Sequence, residues 1–247
     1  MENTEPLASH LIFCDGSSLG NPGPGGWGAI VVKKEGTVLE LGGAKNPTTN
    51  NRMELTGLIE ALKALQNEEG DVTVYTDSKY VESGATSWYR GWIARGWRTS
   101  TNDPVLNADL WKVLLLAISE RGKFGRVYWK RVPGHSGVVG NERADAIATG
   151  FAKGVPPEFF NGPLATYAID ILNIDIDPDL HEERVHDKAR SRMKAYSYIS
   201  EVKGVIQTHA TWAECEARVK GKSGVKFKKS FSAADERSII AAWSALK

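Results

Sequence analysis

The chain of 247 residues is 41% hydrophobic and 25% charged, a globular composition with room for one large domain or two ordinary ones. It excludes wholesale disorder, and no run of about 18 uninterrupted apolar residues occurs that would span a membrane. The net charge of +1 is unevenly spread: residues 1–154 carry 17 basic and 17 acidic groups, 155–193 carry 4 and 8, and 194–247 carry 10 and 5. A neutral body, an acidic connector and a basic tail follow. The two cysteines, Cys14 and Cys215, rule out a disulfide framework, and the start MENTEPLASH has neither leader nor transit patterning, so a reducing, cytoplasmic setting is expected.

In chain order, residues 11–14 form a short apolar strand, and 27–33 with 37–41 read as a hairpin around Glu35-Gly36. After Asn50-Asn51, Leu55, Leu58, Ile59, Leu62 and Leu65 recur at helical spacing. Residues 72–76 form a β-branched strand, 80–95 read as one or two short helices, and a helix from Asn107 places Leu110, Val113, Leu114 and Ala117 on one face. A strand at 127–131 and a helix at 142–152 complete the order βββαβααβα, an α/β fold with a mixed five-stranded sheet flanked by helices. Gly154-Val-Pro-Pro157 and Gly162-Pro163 end this unit, and 155–193 reads as an acidic linker. Its odd apolar stretch, 167–176, has a docked strand or a self-association element as its alternatives. If flexible, such a connector would span about 35 Å. Residues 194–247 form a small α+β domain with strands at 196–200 and 204–208 and a capping-box helix start at Thr211-Trp-Ala-Glu214. A second helix starts at Ser232, with Ile239, Trp243 and Leu246 on one face.

Four carboxylates sit where core building would not place them. Asp15 and Asp77 end apolar strands, Glu54 opens the long apolar helix, and Asp145 lies in the last helix of the body. Strand-end and helix-start carboxylates can converge at one edge of a sheet, and no nearby cationic run neutralises them. A hard divalent cation would do so, and two such ions about 3.5–4 Å apart would activate water and stabilise the leaving oxygen of a phosphodiester. His135, with a glycine close on each side in Gly134-His-Ser-Gly137, suits a proton shuttle. His10, His181, His186 and His209 show no partner pattern.

The blocks Cys14-Asp15-Gly-Ser-Ser-Leu-Gly-Asn-Pro-Gly-Pro-Gly-Gly26, Thr49-Asn-Asn-Arg-Met-Glu-Leu55, Tyr75-Thr-Asp-Ser-Lys-Tyr80, Gly134-His-Ser-Gly137 and Asn141-Glu-Arg-Ala-Asp145 resemble type 1 ribonuclease H in order and spacing. The resemblance covers roughly residues 10–153. It implies the ribonuclease H fold and endonucleolytic hydrolysis of the RNA strand of RNA–DNA hybrids, leaving 5′-phosphomonoester ends. It implies two Mg2+ ions, or Mn2+ in their place, on Asp15, Glu54, Asp77 and Asp145, with His135 handling the proton. It also implies that Asn21, Asn50 and Asn51 lie in the minor groove, where 2′-hydroxyl contacts identify RNA. Trp88, Trp92, Trp97 and Arg98 match the family's protrusion that grips the DNA strand. The lysine run common there is replaced by Ile93-Ala94, so the body is expected to bind hybrid weakly alone.

The tail's Thr211-Trp-Ala-Glu-Cys215, Val219-Lys-Gly221 and Val225-Lys-Phe-Lys-Lys229 are similar to the hybrid-binding, viroplasmin-like domain of many such enzymes. That similarity implies stacking by Trp212 and Phe227 and phosphate contacts by Lys228 and Lys229. It departs from the family pattern at Ser200-Glu-Val-Lys-Gly204, at Ser230 and in its C-terminal placement. The competing reading makes Trp212 and Phe227 the core of this unit. A monomer acting on RNA–DNA hybrid without a membrane is expected. A silent hybrid binder is disfavoured by packed negative charge facing phosphates, the nuclease piece of a reverse transcriptase by the chain's length, and a transposase-like DNA enzyme by the glycine and asparagine blocks, which the fold's DNA-transferring relatives lack.

Overall fold

The computed structural model describes residues 7–134, 136–176 and 193–244. The chain divides into two compact units, 1–181 and 182–247. Among the described residues, no helix is long and apolar enough to cross a membrane.

The first unit is built on β1 (His10–Ser18), β2 (Gly23–Lys33), β3 (Thr37–Thr48), β4 (Val72–Thr76), β5 (Val127–Arg131) and β6 (Asn161–Pro163), in the sheet order β5-β4-β1-β2-β3-β6. β1 pairs antiparallel with β2 and parallel with β4, so it occupies the centre of a mixed sheet. Side-chain alternation divides the sheet into two faces. Ile12, Cys14, Ala29, Val31, Val72 and Val74 belong to the cluster under α1 (Asn50–Ala64) and α4 (Ala108–Arg121). Phe13, Ile30, Val32, Val38 and Tyr75 belong to the cluster under α5 (Val139–Lys153).

Two glycines allow these layers to close. A Cβ on Gly16 would stand 2.3 Å from the Glu54 backbone nitrogen, so only glycine lets α1 press onto β1 there. On the other face, a Cβ on Gly28 would stand 2.3 Å from the Ala144 carbonyl oxygen of α5.

Between β4 and α4, α2 (Lys79–Ser83) and α3 (Tyr89–Ala94) are joined by a π turn at Gly84–Trp88. Gly84 lies on the Trp111 ring, where any Cβ would come within 2.1 Å. The α4 face differs from expectation. Trp111, Leu114 and Arg121 are its buried positions and Val113 is exposed, because Trp111 anchors the helix edge-on to Tyr80 and tilted against Trp92.

The expected linker at 155–193 is corrected over its described part. β6 adds a sixth strand to the sheet beside β3, and Phe160, Leu164, Tyr167 and Ile171 pack on the α5-side cluster. The physical reason is that β3 would otherwise be an open edge beside apolar Val38. Residues 177–192 lie outside the described residues.

The second unit has β7 (Ser197–Val202), β8 (Val205–His209), α6 (Trp212–Val219), β9 (Lys226–Ser230) and α7 (Ala233–Ser244), with sheet order β8-β7-β9. Lys203 and Gly204, both at positive φ, make the two-residue turn between β7 and β8. Thr211 and Glu214 form the expected reciprocal cap on α6. Ile199, Cys215, Val219 and Ile239 form the buried apolar centre, while Leu246 lies outside the described residues.

Candidate active site

Asp15 lies within β1, which continues three residues past it, rather than at the strand's end. Its side chain shares the α5 face with Phe13. Asp77 follows β4 directly, Glu54 sits in the second turn of α1, and Asp145 sits in α5. The parallel pairing of β1 with β4 and the close approach at Gly16 bring these elements to one end of the sheet.

The electrostatics record the convergence. The Asp15 carboxyl is pushed up to about 8 by burial, by Asp77, and further by Asp145 and Glu54, against one short hydrogen bond from the Gly16 nitrogen at 2.7 Å. Burial also raises Glu54, with Asp77 adding to the rise. Cys14 next to them is driven up by burial and by Asp15, Glu54 and Asp77, so it is an inert thiol. Like-charged groups facing one another repel, and oxygen-only donors of this kind fit a hard divalent cation. Among the described residues, no three His, Cys, Asp or Glu side chains are gathered tightly enough to hold a metal ion as they stand.

Two residues not singled out in the sequence orient these carboxylates. The Ser78 hydroxyl donates to Glu54 Oε2 at 2.6 Å while accepting from the Val81 nitrogen at 3.2 Å, capping α2. Thr149 Oγ1 donates to Asp145 Oδ1 at 3.2 Å and lies 3.3 Å from the Ser17 hydroxyl, from which it can accept, tying α5 to β1. Asn50 donates from Nδ2 to Glu54 Oε1 at 3.1 Å. Asn50, Asn51 and Asn21 are all exposed, the first two at the start of α1 and the last in the β1–β2 turn. His135 lies outside the described residues. Beside it, Ser136 donates to the Pro133 carbonyl at 2.6 Å and the Gly137 nitrogen to Glu142 Oε1 at 3.1 Å.

Trp88, Trp92 and Trp97 form one aromatic chain, with ring centroids 5.8 Å and 6.5 Å apart in sequence, continued inward by Trp111. Trp92 is buried and Trp88 exposed, and both line an open groove with Arg95, Thr99 and Ser100. Arg98 donates to the Asn102 carbonyl at 2.7 Å, closing its own loop.

The RNase H family model matches residues 8–153, more than half of the chain. The chain belongs to the ribonuclease H family, and it is an enzyme of that class. Ribonuclease H of Cyanothece sp. is 50% identical over 148 residues, covering 60% of this chain and 91% of the relative. Ribonuclease H of Cupriavidus metallidurans is 53% identical over 137 residues, covering 56% and 90%. The crystal structure of LC9-RNase H1, described as a type 1 RNase H with the type 2 active-site motif, aligns with a TM-score of 0.54 at 27% identity over 71% of this chain and 88% of that one. The foamy viral protease-reverse transcriptase in complex with RNA/DNA hybrid shares the fold, with a TM-score of 0.51 at 18% identity over 63% of this chain and 22% of that one.

The family model ends before the second unit of this ribonuclease H. In that unit Trp212 and Phe227 are 39% and 53% exposed, so they do not form its core. Tyr198, Trp212 and Phe227 instead make a surface row, with ring centroids 5.7 Å and 5.4 Å apart. Tyr198 is the member that sequence reasoning missed, and its β7 position opposite Lys229 brings it there. Lys228 is exposed, whereas Lys229 is half-buried, its Nζ donating to the Met193 carbonyl at 2.5 Å and lying over the Phe231 ring.

Proposed function

We propose that this enzyme hydrolyses the RNA strand of RNA–DNA hybrids at the carboxylate cluster, with two magnesium ions, or manganese in their place, held by Asp15, Glu54, Asp77 and Asp145. The observation that carries the reading is the charge coupling at Asp15, where burial and three neighbouring carboxylates act on one group. When bound, such cations activate water and stabilise the departing oxygen of a phosphodiester. Ser78 and Asn50 hold Glu54 in orientation, and Thr149 holds Asp145. His135 takes up and returns a proton at its imidazole. The exposed Asn21, Asn50 and Asn51 contact the hybrid's 2′-hydroxyls, and the groove at Trp88 and Trp92 receives the DNA strand.

The tail strengthens hybrid binding without entering the chemistry. Its exposed Trp212 and Phe227 and its excess of basic groups support this role. Stacking on aromatic rings contributes about 1–3 kcal/mol per base and tolerates any sequence.

The test is incubation of the protein with labelled hybrid, duplex DNA and duplex RNA, with and without magnesium. Only the RNA strand of the hybrid is cut, and only with the cation. Asp77→Asn abolishes cleavage while hybrid binding and folding persist. Near-normal turnover of that variant at saturating magnesium overturns the site.

A further inference from the structure

Glu40, on β3, is 2% exposed, yet it is charged and accepts hydrogen bonds from three directions. Arg143 of α5 grips it with both ends of its guanidinium, Nε to Oε1 at 2.7 Å and NH2 to Oε2 at 2.8 Å. The Phe160 nitrogen donates to Oε2 at 3.0 Å and the Tyr167 hydroxyl donates to Oε1. Arg143 NH2 also donates to the Glu158 carbonyl at 2.9 Å. Residues 158–167 thus form a strap whose polar centre is the Glu40–Arg143 pair. The Arg143 contact and the two strap donors hold the Glu40 carboxyl below its ordinary value despite its burial, and burial with Glu40 nearby raises the Tyr167 phenol.

We propose that this strap is a positioning device for Asp145: Tyr167 and Glu40 hold Arg143, and Arg143 sets where α5 stands along the sheet. The inference rests on the reading of Asp145 as a cation-holding carboxylate. Three positions along α5 fasten it to three adjacent strands. Arg143 is bonded to Glu40 of β3, Ala144 presses its carbonyl onto Gly28 of β2, and Thr149 is in hydroxyl contact with Ser17 of β1 at 3.3 Å. Asp145 lies between the second and third of these points. The strap's apolar groups, Phe160, Leu164, Tyr167 and Ile171, already supply burial on the α5-side cluster. A buried ion pair adds little net stability over apolar residues of the same volume. Its distinctive contribution is to allow one register and penalise the others, because a slipped α5 would leave Glu40 charged, buried and unpaired. Neither Tyr167 nor Glu40 reaches the carboxylate cluster, so both are positioning residues.

The test uses the full chain with Glu40→Gln, Tyr167→Phe and, alongside, Asp145→Asn. Tyr167→Phe keeps the ring and its packing 4.8 Å from the Phe160 ring, so it removes a bond without emptying the core. The readouts are kcat and KM on hybrid, the calorimetric titration of the protein with magnesium alone, and circular dichroism to confirm folding. Glu40→Gln is expected to lower kcat about tenfold or more, since sub-ångström to 1 Å misplacement of a reacting group costs up to about 10²-fold. KM should stay within about twofold, the magnesium titration should shift to higher concentration, and Tyr167→Phe should move the same quantities less. Unchanged kcat and magnesium titration, with only a lowered thermal midpoint, overturns the inference. Normal turnover in Asp145→Asn overturns the site assignment and the inference with it. Loss there beside unaffected strap variants overturns the inference alone.

Discussion

Ser78 serves two structures with one hydroxyl, donating to Glu54 and accepting from the Val81 nitrogen in the first turn of α2. Ser78→Ala should therefore lower kcat about tenfold with KM nearly unchanged, and cost about 1 kcal/mol through the lost cap. A kcat equal to that of the unaltered enzyme would show that Glu54 is oriented by Asn50 alone. The role was not legible in the sequence. The Thr-Asp-Ser block placed Ser78 after a strand, but its bond to Glu54 depends on α1 packing beside β4, a distance of 24 residues along the chain. His10 is a residue that showed no pattern in the sequence and is fully buried in the fold. Its Nε2–H donates to the Glu69 carbonyl at 3.0 Å, and its Nδ1 accepts from the Lys34 nitrogen at 3.1 Å, which fixes a neutral ring. Burial lowers its pKa, with Arg121 and Lys34 acting in the same direction against Glu35 and the Glu69 bond. The unfolded chain then binds the proton more readily, so stability should fall as pH drops below about 6.5, the free imidazole value. Urea unfolding of His10→Gln across pH 4.5–8 should give a flatter profile than the unaltered chain. Parallel profiles would remove His10 from the account.

At the scale of elements, the boundaries most plainly written in the sequence were those of β4, a β-branched run, and of β5. Both β4 and β5 match expectation because their neighbours are loop residues on each side. β1, β2 and β3 run longer than expected, since glycines and polar residues that read as turns are paired strand residues. Ser17 lies opposite Gly26 and Trp27 opposite Gly43. Gly26 is a strand position pressed by α5, where a Cβ would stand 2.3 Å from the Ala148 carbonyl oxygen, and Gly43 lies against the Trp27 ring of β2. Gly28→Val should force α5 off β2, costing about 1–3 kcal/mol or more through overpacking, with Asp145 displaced and kcat lowered. Thermal unfolding together with turnover checks this, and an unaltered melting midpoint would contradict the close contact. β6 escaped the sequence reading for a different reason. Its three residues carry no strand pattern, and pairing with β3 makes them a strand.

For the whole molecule, charge segregation in the sequence puts an acidic connector from 155, whereas the described residues 160–171 pack on the α5-side cluster of the first unit. The first unit includes the strap and extends to residue 181. A chain cut after Ile176 should therefore retain kcat and lose hybrid affinity at least tenfold, about 1.4 kcal/mol, seen as a raised KM. A chain cut after Lys153 should lose kcat as well, because the donors to Glu40 go with it. Trp212→Ala should reproduce part of the affinity loss, and Lys228→Ala should flatten the salt dependence by about 0.9 log unit if it makes one phosphate contact. Equal KM and equal salt slope in the full chain and the chain ending at 176 would assign the tail a different partner.

The carboxylate cluster also bears on how firmly the protein folds. Burying Asp15 among Asp77, Asp145 and Glu54 opposes folding, because each group must give up water while facing like charge. The reactive end of the sheet is thus the place where sequence and stability are at odds, and relieving it should make a sturdier but idle protein. Asp15→Asn should abolish turnover and raise metal-free stability by about 0.5–2 kcal/mol, the usual gain from a single favourable change, moving the melting midpoint up by about 1–8 °C for a domain of this size. Magnesium should narrow the gap by stabilising the unaltered enzyme far more than the variant. A melting midpoint that falls on substitution would mean that Asp15 is held by favourable contacts and that the cluster carries no such tension.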